Sequence, residues 1–288
     1  MTRISSDVQR VLDIFRLIRV WNCLLATAGV WVGAYLTWLK PMYYGPMMAG
    51  LAAFFVCAAG NILNDIRDIE IDRINRPERV LVRGTISTGQ ALWLAITCAA
   101  TATVLALAVN LLVLATVIVA LGLLIAYDFG LKKIPVLGNL SIAILSALTF
   151  MTGGLAIGPK LPLVLPGPLI PAVFALLFHM VREILKDAED IEGDRKLGIT
   201  TLPQMLGKSK SLMVALLLFF VLVILTYIPV IEGWFGRSYE VITVYVVDIP
   251  LLALLIFIWG NPTRRMLRIG SLGLKLGMLL GLAALVVS

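Results

Sequence analysis

Nine runs of roughly twenty apolar residues divide this chain, at about 18–38, 43–64, 89–109, 111–127, 136–157, 163–185, 211–230, 241–259 and 267–287. A helix needs about 20 such residues to cross the hydrocarbon core of a bilayer. Inside lipid every backbone N–H and C=O must find an internal partner, which leaves only helices and closed barrels. The runs are continuous rather than alternating, so they do not read as barrel strands. The predicted fold is therefore all-α. It is a polytopic membrane protein of about nine transmembrane helices around a central apolar cavity, with acidic and basic cap loops on the cytoplasmic side. One membrane domain over residues 1–288 accounts for the whole pattern. Composition agrees, since 60% of the 288 residues are hydrophobic, against nearer half in a soluble domain. The run at 163–185 starts among Pro162, Pro166, Pro168 and Pro171, so its helix is expected to begin near Pro171 and continue into acidic sequence. Asn110 marks a tight hairpin between two runs.

The loops set the orientation. Of 24 Lys and Arg residues, 20 fall on one side: in the N-terminal tail, the 2–3, 4–5 and 6–7 loops, and the 8–9 loop. Lys40, Lys160 and Arg237 fall on the other side, and Lys275 lies inside the last run. The positive-inside rule places the N-terminus and the acidic loops in the cytoplasm and the C-terminus outside, in the cell membrane. The net charge of +7 resides in these loops, which argues for membrane lipids rather than nucleic acid as surroundings. Cys23, Cys57 and Cys98 all lie in apolar runs without paired spacing, so neither disulfides nor a thiolate metal site are expected. The first run is too long and wrongly flanked to be a cleaved signal peptide.

Carboxylates are more concentrated still: five of 17 lie at 65–78 and six at 183–194. Asp65, Asp68 and Asp72 are spaced i, i+3, i+7, which aligns them on one face of a helix. Asp187, Asp190 and Asp194 repeat the spacing. Like charges so arranged repel one another and call for cations among them. Mg²⁺ takes oxygen ligands, and is commonly held by one or two carboxylates plus substrate phosphates. Two such stripes could hold Mg²⁺ ions with a diphosphate between them. Arg67, Lys132, Lys133, Arg182, Lys186 and Arg195 lie near the stripes as partners for phosphate oxygens. At the rim of an apolar bundle this suits a substrate with a diphosphate head and a lipid tail.

On these residues the chain resembles the intramembrane prenyltransferase superfamily of the UbiA type. The family's N-D-x-x-D-x-x-x-D motif matches Asn64, Asp65, Asp68 and Asp72. Its second acidic motif matches Asp187, Asp190 and Asp194, and a Tyr-to-Lys motif between them matches Tyr127 and Lys132. An Arg-Pro-x-Asn signature matches Arg19 and Asn22, with Val20 in place of Pro. Within the superfamily, the stretches Arg73–Arg79, Lys132–Leu140 and Arg182–Asp194 look most like digeranylgeranylglyceryl phosphate synthases, which form the second ether bond of archaeal-type lipids. Residues Val80–Gly84 depart from that group's usual Pro-x-Pro-Ser-Gly, and Arg83 there suits an acidic acceptor near the cavity mouth.

The resemblance implies Mg²⁺-dependent transfer of a prenyl group from its diphosphate donor to a lipid acceptor. Asp65, Asp68, Asp187 and Asp190 are then expected to bridge Mg²⁺ to the diphosphate, with Asp72 and Asp194 one turn further along as additional ligands. Tyr127 is expected to face the allylic cation, and Asn22, Asn61 and Asn64 to position substrate oxygens. An aromatic acceptor such as 4-hydroxybenzoate, or a chlorin or heme, is the alternative within the class. A divalent-cation transporter is the alternative outside it, but that reading expects acids at the midplane of several broken spans, whereas here they sit at run ends. His179 reads as a helix–helix hydrogen bonder. Asp248, next to Ile249-Pro250, reads either as a functional intramembrane acid or as a partner for a freed backbone group. Gly29–Gly33 and Gly273–Gly277 read as packing faces.

Overall fold

The structure, a computed structural model, describes residues 6–37, 44–196, 198 and 200–288, with side chains for all of these except 6, 7, 74, 75 and 193–196. Every regular element among them is helical. In chain order they are α1 (Ser6–Ile18), α2 (Val20–Tyr35), α3 (Tyr44–Arg67), α4 (Ile69–Asn75), α5 (Thr88–Leu107), α6 (Leu111–Phe129), α7 (Leu137–Ile157), α8 (Leu169–Lys196), α9 (Leu202–Leu206), α10 (Lys208–Ile231), α11 (Arg237–Glu240), a π-helical segment (Val241–Asp248), α12 (Ile249–Gly260) and α13 (Arg264–Val286).

Seven helical stretches are long and apolar enough to cross a membrane: α3, α5, α6, α7, α10, the run Arg237–Gly260, and α13. An eighth is counted if α1 and α2 form one bent span. Of the nine expected spans the remaining one is α8, whose first eighteen residues already include Arg182, Glu183 and Lys186. Like the proline-rich sequence before it, this fits the expectation that the helix starts late and runs into the second acidic stripe.

Local chemistry explains the boundaries. Ser87 and Gln90 form a capping box at the start of α5, satisfying two otherwise orphaned N–H groups. Asn110 turns the α5–α6 hairpin: its Oδ1 accepts from the N–H groups of Leu112 and Val113, while its Nδ2 donates to Leu155 O in α7. Thr263 caps α13 through Met266 N.

The helices approach closely where their facing residues are small, the usual device when lipid offers no hydrophobic drive between helices. On α5, Ala91, Ala95, Cys98, Ala102 and Ala106 form one buried stripe against α3. The α2–α7 crossing is tighter. A Cβ on Gly33 would lie 2.1 Å from Phe150 O, and one on Gly153 2.0 Å from Val30 O, so backbone meets backbone. Gly273 and Gly277 likewise receive Leu251 and Leu254 of α12, and both small-residue runs are packing faces. The ring closes where α13 meets α8 and α2.

The first span departs from the expected 18–38. It breaks at Arg19, which adopts the left-handed conformation (φ 52°, ψ 60°) and bends α1 from α2 by 52°. The carbonyl freed by the break, Ile18 O, accepts from Asn61 Nδ2 at 2.8 Å. Helix α1 exposes Val8, Val11, Leu12, Ile14 and Phe15, an apolar face suited to lying in the membrane interface. Its fully buried Asp13 pairs with Arg16 at 3.1 Å and Arg83 at 2.7 Å.

Candidate active site

Two cavities meet inside the bundle. The inner one, about 520 Å³, is walled by apolar residues of α2, α3, α6, α7, α8 and α13, among them Leu25, Val56, Val117, Leu145, Phe174, Phe178 and Leu282. Its volume falls within the range of small-molecule sites. Its floor is polar. Thr226 Oγ1 lies 2.7 Å from Asp248 Oδ2, and Tyr239 donates to Thr226 O at 3.0 Å. Asp248, at the end of the π-helical segment, thus bonds a side chain of α10 rather than a freed backbone group. Short π segments are frequent at functional sites.

The outer cavity, about 1440 Å³, is lined by charged side chains, including Asp68, Asp72, Arg79, Lys132, Asp187 and Asp190. Arg19, Asn22, Asn64, Tyr127, Arg182, Glu183, Lys186 and Lys275 line both cavities and form the neck between them. An amphiphile with an anionic head would place the junction of head and tail there.

The first stripe is held as a near-continuous helix across the α3–α4 break, with Asp68 N bonded to Asn64 O at 2.9 Å and Asp72 N to Asp68 O at 2.8 Å. The cations called for by its charge are present, and of those expected Lys132 is among them, but Arg67 is not. Asp65 Oδ1 accepts from Arg19 and from Arg79, each at 2.5 Å, and Asp72 pairs with Arg79 at 2.8 Å. Lys132 reaches across from the α6–α7 loop to Asp68, which also accepts from Asn64 at 3.0 Å. Burial pushes the Asp72 carboxyl above its ordinary pKa, and the Arg79 guanidinium partly offsets this.

Arg67 was expected beside the phosphate. It faces the other way, exposed on α3, with its guanidinium 4.3 Å above the Phe129 ring, and it lines neither cavity. Asp65 is not on a cavity wall either; it sits behind Arg19 and Arg79. Asn61 borders the inner cavity, but its Nδ2 is taken up by the α1–α2 bend. Arg83 is drawn away to Asp13 while Val80 and Leu81 are buried, so the atypical loop anchors α1 instead of lining the mouth.

Opposite, α8 presents the second stripe. Asp187 accepts from Asn139 of α7 at 2.9 Å, and Asp190 is exposed in the mouth. Asp194 and Arg195 lie outside the described side chains. One turn earlier, buried Glu183 takes Arg182 at 2.7 Å and Lys186 at 2.9 Å. His179 Nδ1 lies 3.1 Å from Ala175 O of its own helix, so it bonds within α8 rather than between helices. Between the loop lysines and α7, Val136 has φ 68°, a strained conformation for a β-branched residue and one that tends to occur at functional sites.

Sequence reasoning missed Arg79, Asn139 and Glu183 as site residues, and it left Lys275 without a role. Arg79 had a signal, since it ends the basic loop that follows the first stripe. Glu183 had one too, since it lies at helical spacing from Lys186 on α8, whereas Asn139 and Lys275 join the site through tertiary contacts.

The donor set fits a magnesium site. Both walls of the mouth offer only hard oxygen ligands, Asp68 and Asp72 on one side and Asp187 and Asp190 on the other. Among the described residues no three metal-binding side chains converge by themselves; an ion at the mouth would be held jointly by a few of these carboxylates and substrate phosphates.

Comparison with known proteins agrees with this arrangement. Residues 20–269 match the UbiA prenyltransferase family. A digeranylgeranylglyceryl phosphate synthase of Methanopyrus kandleri is 35% identical over 93% of this chain and 97% of its own length. The enzyme of that name from Thermococcus kodakarensis is 34% identical over 94% and 95%. A solved structure of a digeranylgeranylglyceryl phosphate synthase superposes with a TM-score of 0.78 at 34% identity, covering 97% of this chain and 98% of that one. The fold is also that of a UbiA homologue from Archaeoglobus fulgidus bound to GPP and Mg²⁺, with a TM-score of 0.66 at 22% identity, covering 96% and 100%. The apolar helices, the paired carboxylate walls and these matches have one conclusion: this multi-pass membrane protein belongs to the UbiA prenyltransferase family.

Proposed function

We propose that this protein transfers a geranylgeranyl group from its diphosphate to the hydroxyl of geranylgeranylglyceryl phosphate, with Mg²⁺ and with release of diphosphate. The neck carries this reading: it joins an apolar chamber to a mouth walled by two sets of carboxylates. The extent of the likeness to digeranylgeranylglyceryl phosphate synthases supports the acceptor.

The prenyl tail occupies the inner cavity, and the diphosphate lies in the mouth between Asp68 and Asp72 on one wall and Asp187 and Asp190 on the other. Asp65 and Asp194 complete the two motifs. Mg²⁺ bound there would neutralise charge building on the leaving group. Arg19, Arg79 and Lys132 offer donors to the diphosphate oxygens, as does Arg195 in the proposed set, and Arg182 and Lys186 offer theirs to substrate phosphate at the neck. The allylic C–O bond breaks with its electron pair leaving on the diphosphate. The acceptor hydroxyl oxygen forms the new C–O bond and gives up its proton to solvent or phosphate. Tyr127 places an aromatic ring at the neck, where positive charge develops on carbon, and Asn22 and Asn64 orient oxygens beside it. The apolar walls keep water from trapping the cation. The mouth faces the cytoplasm of the cell, by the distribution of Lys and Arg.

The test is incubation of the purified protein with geranylgeranyl diphosphate, Mg²⁺ and either geranylgeranylglyceryl phosphate or 4-hydroxybenzoate, with mass spectrometry of the lipid products. A di-ether phosphate is expected. Prenylation of the aromatic acid alone would overturn the acceptor assignment, and no prenylated product from either would overturn the activity.

A further inference from the structure

We propose that Lys275 of α13, together with Arg182 and Lys186 of α8, forms a second anion site that holds the phosphate monoester of the acceptor, apart from the place of the donor diphosphate. This rests on the reading given above. Lys275 lies in the interior of a membrane span, where a lysine that faces lipid is costly. It faces the neck instead, lining both cavities.

The charge at the neck favours an anionic ligand. Arg19 is committed to Asp65. Glu183 serves both Arg182 and Lys186, and Asp128, the next carboxylate towards the inner cavity, is taken by Asn64. Lys275 makes no ion pair among the described residues. Among the described residues these three cations have one ion-paired carboxylate between them. A phosphate monoester, at about −1.5 to −2 at neutral pH, has the sign and size of charge such a cluster holds.

A second observation points the same way. The Nε of Arg182 is buried and has no hydrogen-bond partner, a costly state for a donor. Its Nη1 holds Glu183, so the guanidinium, which lines the neck together with Lys275, has donor capacity left over.

The donor diphosphate does not compete for this cluster on electrostatic grounds. Its place is set by the carboxylates of the mouth, where Lys132 and Arg79 already stand. Helix α13 contributes no Asp or Glu, so Lys275 has no metal-binding neighbour on its own helix. Arg264, Arg268, Ser271 and Lys275 lie along one face of α13 towards the mouth, a basic track along which a phosphate head can descend to the neck.

The experiment compares the wild type with Lys275→Met and Lys275→Arg. Methionine keeps the length and suits an apolar span, and a thermal melt checks that both variants fold. For Lys275→Met, KM for geranylgeranylglyceryl phosphate should rise tenfold or more while KM for geranylgeranyl diphosphate stays within twofold. Arginine should restore most of the loss. Geranylgeranylglycerol, the same acceptor without its phosphate, should be used equally poorly by wild type and Lys275→Met. An equal rise in KM for the donor, or unchanged KM for the phosphorylated acceptor, overturns the inference. Direct binding of geranylgeranylglyceryl phosphate without donor separates this outcome from failure of the proposed reaction. If the wild type forms no product, tighter binding to wild type than to Lys275→Met still upholds the phosphate site, and equal binding refutes it.

Discussion

Arg79 is the cation on which the first carboxylate stripe most depends, and Arg79→Ala tests that dependence. The guanidinium lies 2.5 Å from Asp65 and 2.8 Å from Asp72. Both carboxylates are only 5% exposed. Removing one partner of a buried ion pair costs about 3–5 kcal/mol, because the other charge is left uncompensated. Here the loss is smaller, because Asp65 keeps Arg19 and Arg79 is partly reached by solvent. About 2–3 kcal/mol is expected, or roughly 3–5 °C in Tm for a chain of this size. The assay is a thermal melt of detergent-solubilised protein at one fixed scan rate. Adding Asp72→Asn to Arg79→Ala removes the stranded charge and should recover at least half of the loss. Burial raises the Asp72 pKa in the folded protein, so the native state holds this proton to higher pH than the unfolded chain does. Its contribution to stability is lost as pH rises, and the gap between Arg79→Ala and wild type should narrow from neutral pH towards pH ~5. A melting temperature within ~1 °C of wild type, or no recovery in the double variant, would refute this account of the stripe.

Asp68→Asn or Asp190→Asn should lower kcat by on the order of a hundredfold or more, as measured by release of diphosphate, with the melt unchanged for Asp190→Asn and lowered for Asp68→Asn, which strands Lys132; full activity in either would remove that residue from the site. Treatment with EDTA should abolish turnover but move Tm by less than ~2 °C, because Asp65 and Asp72 are already paired with arginines; collapse of the fold on chelation would show that metal, not arginine, holds the stripe. Gly153→Ala sets a methyl 2.0 Å from Val30 O and should destabilise by about 1–3 kcal/mol or more, read as lower Tm and lower yield, whereas Gly122→Ala, with no heavy atom within 4 Å of the added methyl, should melt like the wild type.

Much of this arrangement follows from helical periodicity, which is why the chain alone indicates it. Long apolar runs announce the spans, and carboxylates at i, i+3, i+7 announce a shared face whatever surrounds them. The partners of those carboxylates are set differently. Arg67 lies among the aspartates in sequence, yet it is two residues from Asp65, and residues two apart on a helix point to different faces; the geometry could have excluded it. Arg79 returns to Asp65 from fourteen residues away, after a helix break and a loop. The bend at Arg19 is held by Asn61 from another helix, and Val80–Arg83 packs on α1 rather than on the mouth. Lys275 was visible as a charge in an apolar run, but its neighbours on α8 are a consequence of how the ring of helices closes.

The polar floor of the inner cavity makes it a ruler. Thr226, Tyr239 and Asp248 end the apolar wall at a fixed depth. A tail too short to reach them forgoes about 0.8 kcal/mol for each methylene it lacks. A tail too long presses its last methyl groups against a carboxyl and hydroxyls whose hydrogen bonds it cannot replace. With the proposed donor seated tail-first, its length would be read on α10 and the π-helical segment, far along the chain from the two acidic stripes. Two relatives with the same mouth and different floors would run the same reaction on chains of different length.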